Sequence, residues 1–210
     1  MIDISRPLTT TTAAWPGDAA FRLDWSSRLD RGDSVSVSHL DFSPHVGTHA
    51  DAPAHYDPDG AAASSFELAN FIGPARVVDA IGREAVSVEL LEAAGAVGAA
   101  RVLVRCLDEV RPDEFVSDFP PLESEAAEAL VSGGLLLYGT DAPSVDPVDS
   151  AAMSAHRVLG LAGCPILENL DLSAVEAAPY DLLALPIRLV EAEAAPVRAV
   201  LLPPGSLAVR

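Results

Sequence analysis

Residues 43–60 read SPHVGTHADAPAHYDPDG and hold three of the chain's five histidines together with three aspartates. His45, His49, Asp51 and His55 fall at offsets of zero, four, six and ten, so on extended backbone all four side chains would project to one side. Imidazoles with a carboxylate suit zinc, manganese or iron, and fewer than four side chains per ion leaves positions open for catalysis. A single histidine in a proline-rich loop is more often a plain hydrogen-bonding group. The joint spacing favours a metal site, because crowding these groups without an ion carries a large desolvation cost. A helical zincin motif is excluded: His-Val-Gly-Thr-His has no glutamate after the first histidine and a glycine at its centre.

Two more groups have the chemistry to complete such a site. His156, in SAAMSAHR, is the only histidine of the C-terminal half, and Glu168 follows twelve residues later in PILEN, inside a run that reads as buried strand. A buried unpaired glutamate is expensive, so Glu168 is either a further ligand or half of a salt bridge to an arginine such as Arg157 or Arg188. Trp15, in WPGD, offers a flat apolar surface to a substrate ring or serves as a rim aromatic. His39 shares a face with Val35 and Val37, has no partner in spacing, and reads as structural.

The elements that must position these groups follow from pattern. DSVSVSHLDF (33–42) alternates as a strand whose apolar parity changes near His39, which suggests a bulge there. Pro44, Gly47, Pro53 and Pro58 keep the cluster out of a helix and place it on a strand end and the following loop. Further strands are expected at 75–81, 101–107, 135–140, 165–169, 180–190 and 195–203. Helices fit SVELLEAAGA, with Ser87 as cap, ESEAAEALVSGG, closed by glycines, and DSAAMSAHRVLG. Strands alternating with helices and ending in two long strands predict an α/β fold with a mixed sheet, in one domain over residues 1–210.

Thirteen basic against thirty-one acidic residues give a net charge of −18, which repels nucleic acid and anionic membranes alike. The acidic groups are spread along the chain and read mainly as a solvated surface. No apolar run spans a bilayer and the N-terminus lacks a signal pattern, so a cytoplasmic protein is expected. Cys106 and Cys164 lie in apolar runs and suit small buried hydrophobes better than a disulfide.

HVGTHADAPAH resembles the His-x-Gly-Thr-His-x-Asp-x-Pro-x-His signature of the cyclase-like family of metal-dependent hydrolases. WPGD, GTDAPSVDP followed by MSAHR, ILEN and YDLLALPIRLVEAEAAPVRAVL extend the resemblance over nearly the whole chain. It implies a swivelling β/β/α domain with a mixed, barrel-like central sheet and flanking helices, associated as a homodimer or higher homo-oligomer. It also implies two divalent metal ions per subunit, normally Zn2+ with Mn2+ as the alternative. In that scheme His45 and His49 bind the first ion and His156 the second, while Asp51 and Glu168 bridge both. His55 stays off the metals as general acid and base, and Trp15 packs on the aromatic ring of the substrate. The flanking segments favour the members that hydrolyse a small-molecule aryl amide, N-formyl-L-kynurenine. Opening of a cyclic amide such as isatin is the alternative within the family. A non-catalytic metal or small-molecule carrier is the alternative outside it, and a carrier has no need of His55. Asn169 departs from the formamidase-type pattern, in which glycine more often follows the glutamate.

Overall fold

The computed structural model describes residues 1–207. Its first strands are β1 (Ile2–Asp3), β2 (Arg22–Ser27), β3 (Val37–Asp41) and β4 (His49–Asp51). An alternating stretch follows: β5 (Ile72–Asp79), α1 (Val88–Ala93), β6 (Arg101–Arg105), α2 (Ser124–Ser132), β7 (Leu137–Thr140), α3 (Ser154–Leu161) and β8 (Ile166–Glu168). The chain ends in β9 (Pro179–Leu183), β10 (Ala194–Pro196) and β11 (Val200–Leu202).

Strands β5, β6, β7 and β8 lie parallel, as strands joined through helices must. Antiparallel neighbours extend this block on both sides, giving the nine-stranded order β1-β11-β9-β5-β6-β7-β8-β4-β10. The sheet is therefore mixed, as expected from the sequence, and it is strongly curled. Strand β11 stands next to one edge and β10 forms the other; in a flat sheet the seven spacings between them would measure about 34 Å. Yet the chain passes from Pro196 to Val200 in four steps, which reach at most about 14 Å. Only a sheet rolled into a half-barrel satisfies both.

Side-chain alternation fills the two faces of this sheet with separate cores. In β6, Val102 and Val104 face the helices and pack with Leu91, Leu130 and Leu159. Leu103, between them, faces the concave side and packs with Leu167, Leu182 and Leu201 from both arms of the curl. Ser87 caps α1 by accepting from the Leu90 amide. Cys106 and Cys164 are free and buried, in keeping with their apolar surroundings.

Three strand expectations need correction. The strand expected over 180–190 stops at Leu183: Pro186 has no amide hydrogen to give a ladder, and Leu185, Ile187 and Val190 are exposed. The strand expected over 195–203 is divided into β10 and β11, because the chain crosses there from one edge of the curl to the other. The 33–42 strand shortens to β3 and pairs with β2, a partner the sequence pattern did not reveal. The register shift in this ribbon falls between Trp25 and Ser27 on β2 and not at His39, which is exposed opposite Asp24.

Leu103 is fully buried in the concave core, whereas Leu161 is 88% exposed. Leu103→Ala is expected to cost about 2–5 kcal/mol in chemical denaturation, and Leu161→Ala less than about 0.5 kcal/mol.

Candidate active site

Each prospective site residue is placed by a different local device. His49 and Asp51 sit two apart on β4, so both point into the same side of the sheet. In register, His49 faces Glu168 of the neighbouring β8. His45 and His55 do not lie on that strand, so the one-strand reading of the even spacing fails for them. His45 lies in the turn before β4, where Gly47 takes a φ of 73° and Leu8 packs so closely that a Cβ would meet its Cδ2 at 2.5 Å. His55 ends the 3-10 turn Pro53–His55. His156 lies in the first turn of α3, and the salt bridge considered for Glu168 does not form: its neighbours are His49, His156 and the Val145 amide.

The donor atoms converge as two groups. His45 Nδ1 is 3.1 Å from His49 Nε2 and 3.1 Å from Asp51 Oδ1, and His49 Nε2 is 3.2 Å from that oxygen. Ligands on a tetrahedral ion with bonds near 2.0 Å stand about 3.3 Å apart. In the second group His156 Nε2 lies 3.6 Å from Asp51 Oδ2 and 3.4 Å from Glu168 Oε1. Glu168 Oε2 turns back toward His49 Nε2, at 3.6 Å. Asp51 thus offers one oxygen to each group, whereas Glu168 belongs to the second and approaches the first only at His49.

Both oxygens of Asp51 are buried without a hydrogen bond. A carboxylate so placed is costly unless a cation meets its lone pairs, and the geometry of both groups fits a cation. Burial pushes the Asp51 pKa up, and the imidazoles of His49, His156 and His45 outweigh it and hold the group below its ordinary value. Burial, then the charge of Asp51, raises Glu168.

His55 stands apart from these groups. Its ring centroid is 4.3 Å from that of His45 and 6.1 Å from that of His156, and its side chain faces the cavity. Protein packed behind the ring desolvates it, and this lowers its pKa despite Asp51. The lowered pKa favours the neutral imidazole, the form that accepts a proton.

Orienting contacts fix the tautomers. His49 Nδ1 donates to the Gly47 carbonyl at 2.9 Å, which leaves Nε2 for the cluster. Asp146 accepts from His156 Nδ1 at 2.7 Å and from the Ala155 and His156 amides at 3.0 and 3.1 Å. One carboxylate therefore caps α3 and aims His156 Nε2 at Asp51 and Glu168. Asp146 does not stand out in the sequence, although an Asp-Pro just ahead of a helix carrying the histidine is a usable sign. Asn169 adopts a φ of 56°, the left-handed region that glycine and asparagine tolerate.

A cavity of about 310 Å3 opens over the cluster. Trp15 lines it, held edge-on against Phe115 with centroids 5.2 Å apart, a partner that the sequence did not suggest.

Fold and site together define a curled-sheet α/β protein with a His/Asp/Glu centre built for cations. Residues 2–147 match the family model described as "Putative cyclase". A kynurenine formamidase of Bacillus cereus is 40% identical over 202 residues, covering 96% of this chain and 97% of that one. One of Paracidovorax citrulli is 41% identical over 209 residues, covering 97% and 96%. Among solved structures, a potential metal-dependent hydrolase with cyclase activity superposes with a TM-score of 0.81 at 24% identity, covering 95% of both chains. An isatin hydrolase bound to the product analogue thioisatinate superposes with a TM-score of 0.81 at 21% identity, covering 96% of this chain and 92% of that one. The chain belongs to the cyclase family.

Asp146→Ala removes the cap of α3 and the anchor of His156. It is expected to weaken metal retention about 10–100-fold in a competition titration with a chelator, and to cost about 1–2 kcal/mol of stability.

Proposed function

We propose that the protein is a metal-dependent amide hydrolase that converts N-formyl-L-kynurenine to L-kynurenine and formate. The observation that carries this reading is the pair of buried carboxylates, Asp51 and Glu168, each dividing its oxygens between two imidazole groups beside a free His55. End-to-end identity of about 40% with kynurenine formamidases supports the choice of substrate. His45 and His49 would hold one divalent ion and His156 the other, with the carboxylates of Asp51 and Glu168 available to both. Zinc suits this donor set, and manganese accepts it as well. When bound, the ions supply Lewis acidity, polarising the formyl oxygen and bringing the pKa of water from about 15.7 toward 7.

The remaining steps belong to side chains. His55 takes the proton from the attacking water as the tetrahedral centre forms. It then gives a proton to the aniline nitrogen as the carbon–nitrogen bond breaks, so the amine leaves neutral. Trp15 and Phe115 flank the substrate ring and hold the formyl group over the centre. A cyclic amide such as isatin presents the same carbonyl demand, and likeness of fold to an isatin hydrolase keeps it as the second reading. Absorbance assays with both compounds separate the two, and turnover of isatin alone overturns the formamidase assignment.

His55→Ala should keep its metal content by elemental mass spectrometry while turnover falls about 100-fold or more. Glu168→Gln should lose metal. If instead His55→Ala empties the site, or Glu168→Gln keeps two ions and full rate, the roles of these two residues are other than proposed.

A homodimer is the assembly proposed, in the cytoplasm. Among the described residues no helix is long and apolar enough to cross a membrane. The β2–β3 ribbon and its connection leave Leu23, Trp25, Val35, Val37 and Leu40 between 37% and 54% exposed over its two faces, apolar area suited to a second copy. Light scattering should give twice the chain mass for the wild type and one chain mass for Trp25→Asp/Val37→Asp.

A further inference from the structure

Among the described residues Arg6 is the only lysine or arginine that lines the cavity, and the proposed mechanism makes no use of it. Its main-chain amide donates to Thr48 Oγ1 at 2.9 Å, and Thr48 Oγ1 donates to the Asn169 carbonyl at 2.7 Å. The residue is thereby stapled to both segments that carry the cation cluster. Its guanidinium Nε donates to the Leu170 carbonyl at 3.3 Å, and Nη2 to the Asp141 carbonyl.

Among the described residues Nη1 donates to no group and no carboxylate forms an ion pair with Arg6, and Nη1 is not one of the buried atoms sealed from solvent. Arg101 shows how the fold treats a purely structural arginine. Its Nε, Nη1 and Nη2 all end on carbonyls, of Asn70, Pro74 and Ala69, at 2.6, 3.2 and 2.6 Å. Arg6 has two such anchors and a third edge left over. The nearest charges do not satisfy that edge, because the Asp141 carboxylate is taken by the Cys106 and Leu107 amides at 2.7 and 3.3 Å, and Asp171 accepts from Ser173. Burial lowers the Arg6 pKa to about 10, so the group remains a cation at neutral pH. A cation held rigidly in a partly desolvated wall with an open donor edge is suited to a planar anion, since guanidinium matches carboxylate geometry.

We propose that Arg6 is the specificity-determining residue of this cavity, its Nη1 edge binding the α-carboxylate of an amino-acid-bearing aryl amide and so fixing the end of the substrate remote from the formyl group. This deepens the amide-hydrolase reading and rests on it. The inference needs no change at the cation cluster: the carboxylate contact adds binding in the ground state and positions the formyl carbon, and an aryl formamide without the amino-acid arm would do without both.

The test compares N-formylkynurenine with 2-formamidoacetophenone, which keeps the ring, the ketone and the formyl group but lacks the amino-acid arm. In Arg6→Gln the ratio of kcat/KM for the two compounds should fall about 10- to 100-fold relative to wild type, with a rise in KM for N-formylkynurenine. The ratio is independent of how much of the variant folds, because both compounds report on the same molecules. Since Arg6→Gln also loses bonds to Leu170 and Asp141, the wild type is assayed in parallel with the carboxamide of N-formylkynurenine. Its KM should exceed that of the parent by about tenfold or more. An unchanged ratio in Arg6→Gln, or a carboxamide handled as well as the acid, overturns the assignment of Arg6 alone. Wild-type enzyme that turns over none of the three compounds overturns the amide-hydrolase reading, and this inference with it.

Discussion

Two acids, Asp51 and Glu168, are buried side by side around the same imidazoles, and the rest of the molecule is organised by what that costs. Two neighbouring carboxylates buried this deeply disfavour one another's charge: burial, then the charge of Asp51, raises the Glu168 pKa. A divalent cation would relieve the conflict, and the imidazoles stand where they would hold it. The arrangement demands that β4 and β8 be hydrogen-bonded neighbours with His49 opposite Glu168, so the order of strands at that end of the sheet is a requirement of the chemistry. A slip of one residue would turn His49 and Asp51 to the opposite face and dismantle the centre.

The curl of the sheet answers the same demand. Strand β10 covers β4 on its far side, and its continuation through Val197 to Ala199 carries the chain back to the β1 edge. The Ile4 amide donates to the Ala199 carbonyl at 3.0 Å, and the Asp171 amide donates to the Ile4 carbonyl at 2.8 Å. The N-terminal strand is thus wedged beside the segment that follows Glu168. Closure seals the concave core, gives the acids their low-dielectric surroundings, and brings Arg6 to the cavity from the opposite end of the sequence.

The cluster was legible because coordinating residues are rare in this chain and stand close together: five histidines, three of them within eighteen residues. His156 and Glu168 were legible by scarcity and by a carboxylate in an apolar run. Even spacing on one extended strand accounts for only half of the cluster, since His45 and His55 reach the site through turns and only His49 and Asp51 share a strand. Contributors that act through ordinary contacts left weaker traces. Asp146 is one of thirty-one acids, Phe115 sits in an irregular segment, and Arg6 lies in a polar entry. What marks each of them is its partner, and those partners are far away in sequence. Strand β2 escaped for a related reason: the alternation of RLDWSS covers only Leu23 and Trp25, and neither strand of the ribbon buries a face that would sharpen the pattern.

A division of labour follows from where the groups are carried. The prospective ligands come from β4, β8, the first turn of α3 and one glycine-bearing turn, all backed by packed core, so their geometry is set to within the tolerance of a rigid scaffold. The cavity walls come from irregular segments around Trp15, Phe115, Val148 and Met153, where a substitution changes shape without disturbing a ladder. A linear formamide and the ring of isatin ask the same of the centre, an activated water and a proton for the departing nitrogen, and differ only in what must fit above it. Choice of substrate therefore belongs to the loops and to Arg6, the one cation among the described residues that lines the cavity, while the capacity for amide cleavage belongs to the sheet.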